Sequence, residues 1–209
     1  MKYKPVGNPD DPFYGYIFEL DFREYFEKNN INYDEYDALD DNHHNWDSKL
    51  PFSKLRVSYK EGDVSMHPIR TMTAELVTWE LLDKMVNHDK HTQEKFLRLW
   101  PFRSADTHLE WFKQSLNGGG GINFDMKGFS LHKHVDNRFI FGNIIINLED
   151  NEDNTTFWNS NGQEMTYKAS GEKGMGTLFI NCEHTLHQIE VLFEDRRVTY
   201  NLPMILNTF

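Results

Sequence analysis

From Ile122 onward the chain is written in short β-type runs, and that rhythm limits the folds open to it. The runs are INFDM (122–126), GFSLHKHVD (128–136), FIFGNIIINL (139–148), TTFW (155–158), EMTYKA (164–169), GTLFIN (176–181), TLHQIEVLF (185–193) and RRVTYNLPMIL (196–206). Each is rich in β-branched and aromatic residues and is bounded by Gly, Asn, Asp or Glu, which is how strands and their turns read in sequence. Eight short strands with turns between them predict a jelly-roll sandwich or barrel.

The first 120 residues have a different texture. Leu76, Trp79, Leu82, Met85 and Val86 recur at helical spacing, and Phe96, Leu97, Leu99 and Trp100 continue the pattern until Pro101 stops it. This predicts helix over 74–100. Thr107 and Glu110 fit a capping box for a second helix, which the run Gly118–Gly121 ends. Residues 1–60 fit either two strands or one strand and a short helix, and 34–49 read as a solvated acidic loop holding His43 and His44. The expectation is one domain over 1–209: a mixed support region (1–120) whose helices buttress a β-core (121–209).

Charge narrows the partners. Lys plus Arg is 22 and Asp plus Glu is 33, for a net charge of −11. Such a chain has no footprint for wrapping a phosphate backbone. The single cysteine, Cys182, permits no internal disulfide and reads as a small buried residue. No apolar run reaches the length of a membrane span, and the start lacks an apolar leader. A cytoplasmic protein in a reducing compartment is expected.

The chemistry gathers at Leu131-His132-Lys133-His134-Val135-Asp136. Alternate residues of a strand share a face, about 6.6 Å apart along the backbone. His134 and Asp136 therefore converge on one side, within reach of a single ion at roughly 2.0–2.2 Å from each ligand atom. His132 shares that face as a rival. The triplet alone reads more readily as a polar surface strand than as a metal site. A third ligand must come from elsewhere, and His184 and His187 are both available downstream. Two histidines and one carboxylate with open positions make the facial triad of non-haem Fe(II) oxygenases.

Four stretches then carry a resemblance: MKGFSLHKHVDN (126–137), NIIINLEDNEDNTTFW (143–158), GEKGMGTLFIN (171–181), and His187 followed ten residues later by Arg197. In order and spacing they resemble 2-oxoglutarate/Fe(II)-dependent dioxygenases of the prolyl-4-hydroxylase-like type, over residues 125–205. The resemblance implies a double-stranded β-helix and a metal triad of His134, Asp136 and His187. It implies Fe(II), 2-oxoglutarate as cosubstrate, O₂, and ascorbate as reductant. Arg197 matches the basic residue that anchors the cosubstrate. A guanidinium fork suits a carboxylate tail better than an ammonium. Thr199 lies on the same strand face as Arg197, and Asn143 and Asn147 alternate on one face, reading equally as neighbours of the cosubstrate inside the barrel or as hydrogen-bonding asparagines of the core.

The implied reaction converts 2-oxoglutarate and O₂ to succinate and CO₂ while hydroxylating one C–H bond of a peptide or small-molecule substrate. A prolyl or other protein side chain leads, and an amino-acid-like small molecule follows. The chain departs from the family at Asp153-Asn154, where Gly-Gly is usual, and offers no matched tyrosine for the cosubstrate. A cupin-like metal enzyme of other chemistry and a non-catalytic jelly-roll binding module are the alternatives. Trp158 reads either as a wall of the substrate mouth or as packing. The tetraglycine reads as a hinge, since no Lys and Ser/Thr follow it as in a phosphate loop.

Overall fold

The computed structural model describes residues 2–28, 56–60, 84–85, 87–99, 121–137 and 140–205. The expected loop at 34–49, the helix from Thr107 and the tetraglycine up to residue 120 lie outside them. So do Leu76, Trp79 and Leu82.

The strands are β1 (Lys2–Pro5), β2 (Ile17–Asp21), β3 (Arg56–Lys60), β4 (Gly121–Met126), β5 (Ser130–His134), β6 (Ile140–Asn147), β7 (Thr156–Trp158), β8 (Met165–Lys168), β9 (Met175–Ile180), β10 (Leu186–Glu190) and β11 (Arg196–Ile205). The helices are α1 (Arg23–Lys28) and α2 (Lys90–Leu99). All eight runs expected from the sequence after residue 121 form strands. They pack as two antiparallel sheets, ordered β1-β2-β9-β6-β11-β4-β3 and β5-β10-β7-β8. From β4 to β11 the chain crosses between the sheets at every step except the β7–β8 hairpin. That winding is a double-stranded β-helix, and the fold is mainly β. The N-terminal third does more than supply helices: β1 and β2 extend the major sheet beyond β9, and β3 extends it beyond β4.

Strand register assigns the two faces of the major sheet. Val198 pairs with Phe124, Tyr200 with Ile122 and Ile146, and Leu202 with Ile144. These residues join Phe18, Leu20, Phe22, Leu178 and Met85 in the largest apolar cluster. The opposite face carries Arg197 paired with Asp125, and Thr199 paired with Asn123 and Asn147. That face looks toward the minor sheet, because Phe179 upon it packs against Phe157 of β7 with ring centroids 5.3 Å apart. The main apolar core thus lies behind the major sheet, while the space between the sheets combines polar side chains with a smaller apolar cluster that includes Ile17, Phe157 and Phe179. Burial on both faces explains the almost unbroken apolar runs of β6 and β9.

The expected helix over 74–100 is interrupted. Helical residues at Lys84 and Met85 are followed by a turn before α2 starts at Lys90. The cause is Asp89, whose Oδ1 accepts the Thr92 amide at 2.7 Å and caps a new helix. Lys95 of α2 donates to the carbonyls of Asp11 at 3.1 Å and Tyr14 at 2.5 Å, which ties the helix to the β1–β2 connection. Among the described residues no helix is long and apolar enough to cross a membrane.

Asp153, where the resembled family has glycine, has a specific task. Its buried Oδ2 accepts three backbone amides in the β10–β11 turn: Leu192 at 2.9 Å, Phe193 at 2.8 Å and Glu194 at 3.2 Å. The turn so held sends Leu192 and Phe193 into solvent, at 54% and 70% exposure. Phe193 therefore does not continue the inward alternation of His187, Ile189 and Val191. Asp153→Ala would leave three amides without their acceptor. The expected cost is roughly 2–4 kcal/mol from lost charge-assisted bonds, read as a lower midpoint in urea. A midpoint equal to wild type would show that water replaces the carboxylate without penalty.

Candidate metal centre

Two adjacent strands and one loop build the site. His134 ends β5, and His187 of β10 stands directly opposite it in the antiparallel register, with ring centroids 4.3 Å apart. Asp136 lies two residues beyond the end of β5 and turns back to the same side. Its Oδ1 is 3.8 Å from the Nε2 of His134 and 3.8 Å from the Nε2 of His187. Those separations are too long for hydrogen bonds. They match three donors facing one shared point, since two atoms each about 2.1 Å from an ion can be up to about 4.2 Å apart. All three ligand atoms fall within 4.8 Å of one another, and among the described residues this is the one group of His, Cys, Asp or Glu so arranged.

The imidazoles are oriented for coordination. Nδ1 of His134 lies 2.7 Å from the carbonyl of His132, and Nδ1 of His187 lies 2.9 Å from that of Thr185. A carbonyl can only accept, so Nδ1 carries the proton and Nε2 presents its lone pair. Burial of His187, at 3% exposure, lowers its pKa below the ordinary histidine value, and His134 pushes it the same way. Asp136 and the Thr185 carbonyl oppose that shift without reversing it. The ring stays neutral at neutral pH, as a metal ligand must. Asp136 Oδ2 is buried and has no hydrogen-bond partner among the described residues. A carboxylate oxygen left so inside a protein is costly unless something cationic completes its surroundings. The donor set and this orphaned oxygen both fit a divalent transition metal.

The ring of Phe157 lies 5.9 Å from that of His187, and Phe179 lies 4.7 Å from it, so the apolar floor of the site comes from β7 and β9. Two residues before Phe157, Thr155 accepts a hydrogen bond from Arg197 Nη2 at 3.2 Å. Arg197 faces inward, is 2% exposed, and its Nη1 meets Asp125 Oδ2 at 3.1 Å. Thr199, also almost fully buried, shares its face. Arg196 points the other way, to Glu149 at 2.8 Å.

The other expected site residues divide. Asn143 is 6% exposed on the inner face, and its Oδ1 is buried without a partner among the described residues. Asn147 is on the same face, but its amide is spent on the turn before β9, donating to the Ser170 carbonyl at 2.7 Å. His132 is exposed and outside the cluster. His184 stacks on Tyr16, centroids 5.7 Å apart, away from the triad. Trp158 faces away from Phe157, on the outside of the minor sheet, with Lys133 Nζ 3.4 Å over its ring. It packs there and does not line the inner space. Cys182 is half-buried against the outer core, and burial raises its thiol pKa. Tyr167 does reach the inner space, but its hydroxyl donates to Glu19 at 2.6 Å.

Sequence reasoning missed Asp125, Thr155 and Asn181. For Asp125 a signal existed: in INFDM the polar Asn123 and Asp125 alternate with Ile122, Phe124 and Met126, so one face of that strand had to be polar. Asn181 closes β9, and its Nδ2 donates to the carbonyls of Asp136 at 2.9 Å, Asn137 at 3.2 Å and Ile140 at 3.0 Å.

No family model matches the sequence, and no curated protein does. Solved structures do resemble the fold. A viral collagen prolyl hydroxylase of Paramecium bursaria Chlorella virus-1 is 12% identical, with 92% of this chain and 97% of that one covered and a TM-score of 0.47. A prolyl-4-hydroxylase of Pseudomonas putida is 9% identical, with 91% and 92% covered and a TM-score of 0.48. For the capsular polysaccharide assembling protein CapF of Staphylococcus aureus the values are 18% identity and a TM-score of 0.33, over 42% of this chain, which spans only 23% of CapF.

Proposed function

We propose that this chain is an Fe(II)- and 2-oxoglutarate-dependent dioxygenase that hydroxylates a protein side chain, such as a prolyl, or an amino-acid-like small molecule. One observation carries the reading. Two Nδ1-anchored imidazoles and an under-bonded carboxylate face a common point between the sheets, and a buried guanidinium opens onto the same space. His134, Asp136 and His187 would hold the metal, which when bound supplies the redox chemistry that couples oxoacid decarboxylation to oxygen insertion.

The remaining work belongs to the chain. Thr155 sits at the level of Arg197 and Phe157 at the level of His187, one two-residue strand step of about 6.6 Å apart. That interval suits an oxoacid chelating at one end and carrying a carboxylate at the other. Arg197 would take the distal carboxylate through its fork, with Thr155 and Thr199 supplying hydroxyls. Asn143 would offer its carboxamide nearer the metal. Phe157 and Phe179 keep bulk water from the floor of the site. The inputs and outputs balance as substrate, 2-oxoglutarate and O₂ giving hydroxylated substrate, succinate and CO₂.

Asp125 favours a second reading, a jelly-roll metal enzyme that uses no oxoacid, because it already answers part of the Arg197 charge. Succinate release decides between them. Purified protein with Fe(II), ascorbate, 2-oxoglutarate and air should form succinate, slowly without substrate and faster with a peptide or amino acid it hydroxylates. Succinate formation should stop when either Fe(II) or O₂ is withheld. Metal binding with no consumption of 2-oxoglutarate under any condition would support the second reading, and absence of metal binding would exclude both.

A further inference from the structure

We infer that Asn181 is a positioning residue for the metal site, setting the place of Asp136 through the backbone; this rests on the metal reading of the triad. The two histidines need no such help. Each lies within a ladder, and each has its ring fixed by a carbonyl two residues back. Asp136 has neither advantage. The β5–β10 ladder ends at the His134–His187 pair, so no strand hydrogen bond locates Asp136. Its side chain offers no anchor either, because Oδ2 has no partner among the described residues and Oδ1 is beyond bonding distance of both rings. Unaided, the loop would leave the carboxylate free to swing away from the histidines.

The Asn181 carboxamide supplies the missing fix. One NH₂ group spans the carbonyls of Asp136, Asn137 and Ile140, tying both ends of the connection to the first residue after β9. Asn181 is itself held. Its amide donates to the Phe141 carbonyl at 2.8 Å, and the preceding Ile180 amide to Tyr16 at 2.8 Å. The same short segment also fixes the distal histidine. The Thr185 hydroxyl, fully buried, donates to the Ile180 carbonyl at 2.7 Å, and the Thr185 carbonyl receives Nδ1 of His187. Residues 180–187 therefore control two of the three ligands, one through Asn181 and the other through Thr185. Partners one step removed from a metal are generally worth roughly ten- to a hundredfold in its affinity.

Donation, not bulk, is what this assigns to Asn181, and that makes it testable without turnover. Co(II) titrated into wild type, Asn181→Ala and Asn181→Asp under anaerobic conditions reports affinity and, through the visible absorption bands, ligand geometry. Asn181→Asp keeps the shape but faces three carbonyls with an acceptor. The expected order of affinity is wild type, then Asn181→Ala at roughly a tenfold loss or more, then Asn181→Asp as the weakest, with altered bands in both variants. Thermal midpoints of the metal-free proteins show whether each variant folds. A variant that folds and binds Co(II) with wild-type affinity and spectrum overturns the inference. So does Asn181→Asp binding as well as wild type while Asn181→Ala fails, since only shape would then matter. If Asn181→Ala fails to fold, Asn181→Ser, a shorter donor, serves in its place under the same criterion. Failure of wild type to bind Co(II) at all would instead remove the metal reading itself.

Discussion

A His134→Ala variant is expected to lose metal binding by more than roughly a hundredfold, since removing a ligand must cost more than removing its outer partner, and to release no detectable succinate. It should do so while remaining folded. The His134 side chain is 29% exposed at the end of an edge strand of the minor sheet. Its removal therefore opens little cavity, and the His132 carbonyl can turn to water. His187→Ala should remove the metal equally but at a larger cost in stability, because that ring is buried against Phe157 and Phe179. The pair separates chemistry from folding. Both variants should lose Co(II) binding, while the metal-free thermal midpoint should fall clearly only for His187→Ala. Undiminished metal uptake by His134→Ala would dismantle the triad.

Much of this was legible beforehand, for local reasons. Strand boundaries after residue 121 follow from Gly, Asn and Asp in the turns. The two-residue period of a strand pointed to His134 and Asp136 on one side, but β5 ends at His134, so it is the loop beyond the strand that brings Asp136 there. Arg197 rather than Arg196 faces inward because the register sets Val198 against Phe124 of the outer core, which puts Arg197 on the opposite face and Arg196 on the same side as Val198. What could not be read was long-range. That Asp153 would gather three amides some forty positions away depends on how two turns meet, and nothing in the turn sequences records it. Asn147 looked equivalent to Asn143 because both occupy the same strand face, yet the turn at Ser170 claims its amide. The interruption before α2 was hidden for a different reason. The nine polar residues from Asn87 to Lys95 hold no apolar spacing that would mark where one helix stops, and only the capping geometry of Asp89 shows that a new helix begins.

The second large effect concerns Arg197 and Asp125, which face each other at 2% and 0% side-chain exposure. Taking one partner from a buried pair leaves the other charge without its counterion, at a cost of roughly 3–5 kcal/mol. Asp125→Ala should therefore lower the thermal midpoint by roughly 10 °C, given about 2–4 °C per kcal/mol in a chain of this size. Replacing both partners by apolar residues of similar volume, as in Asp125→Leu with Arg197→Met, removes the two desolvation penalties together and should recover most of that loss. The double variant then isolates function from stability. Its triad is untouched, so Co(II) should bind within a few-fold of wild type, but the carboxylate tail of an oxoacid would meet no cation. Titration of 2-oxoglutarate into the Co(II)-loaded double variant should show binding weakened by at least about a hundredfold, since a desolvated charge-assisted fork is worth more than 2–3 kcal/mol. A double variant that is stable, binds Co(II) and still takes 2-oxoglutarate with wild-type affinity would show that the oxoacid tail lies elsewhere, leaving Arg197 and Asp125 as a structural pair between β11 and β4.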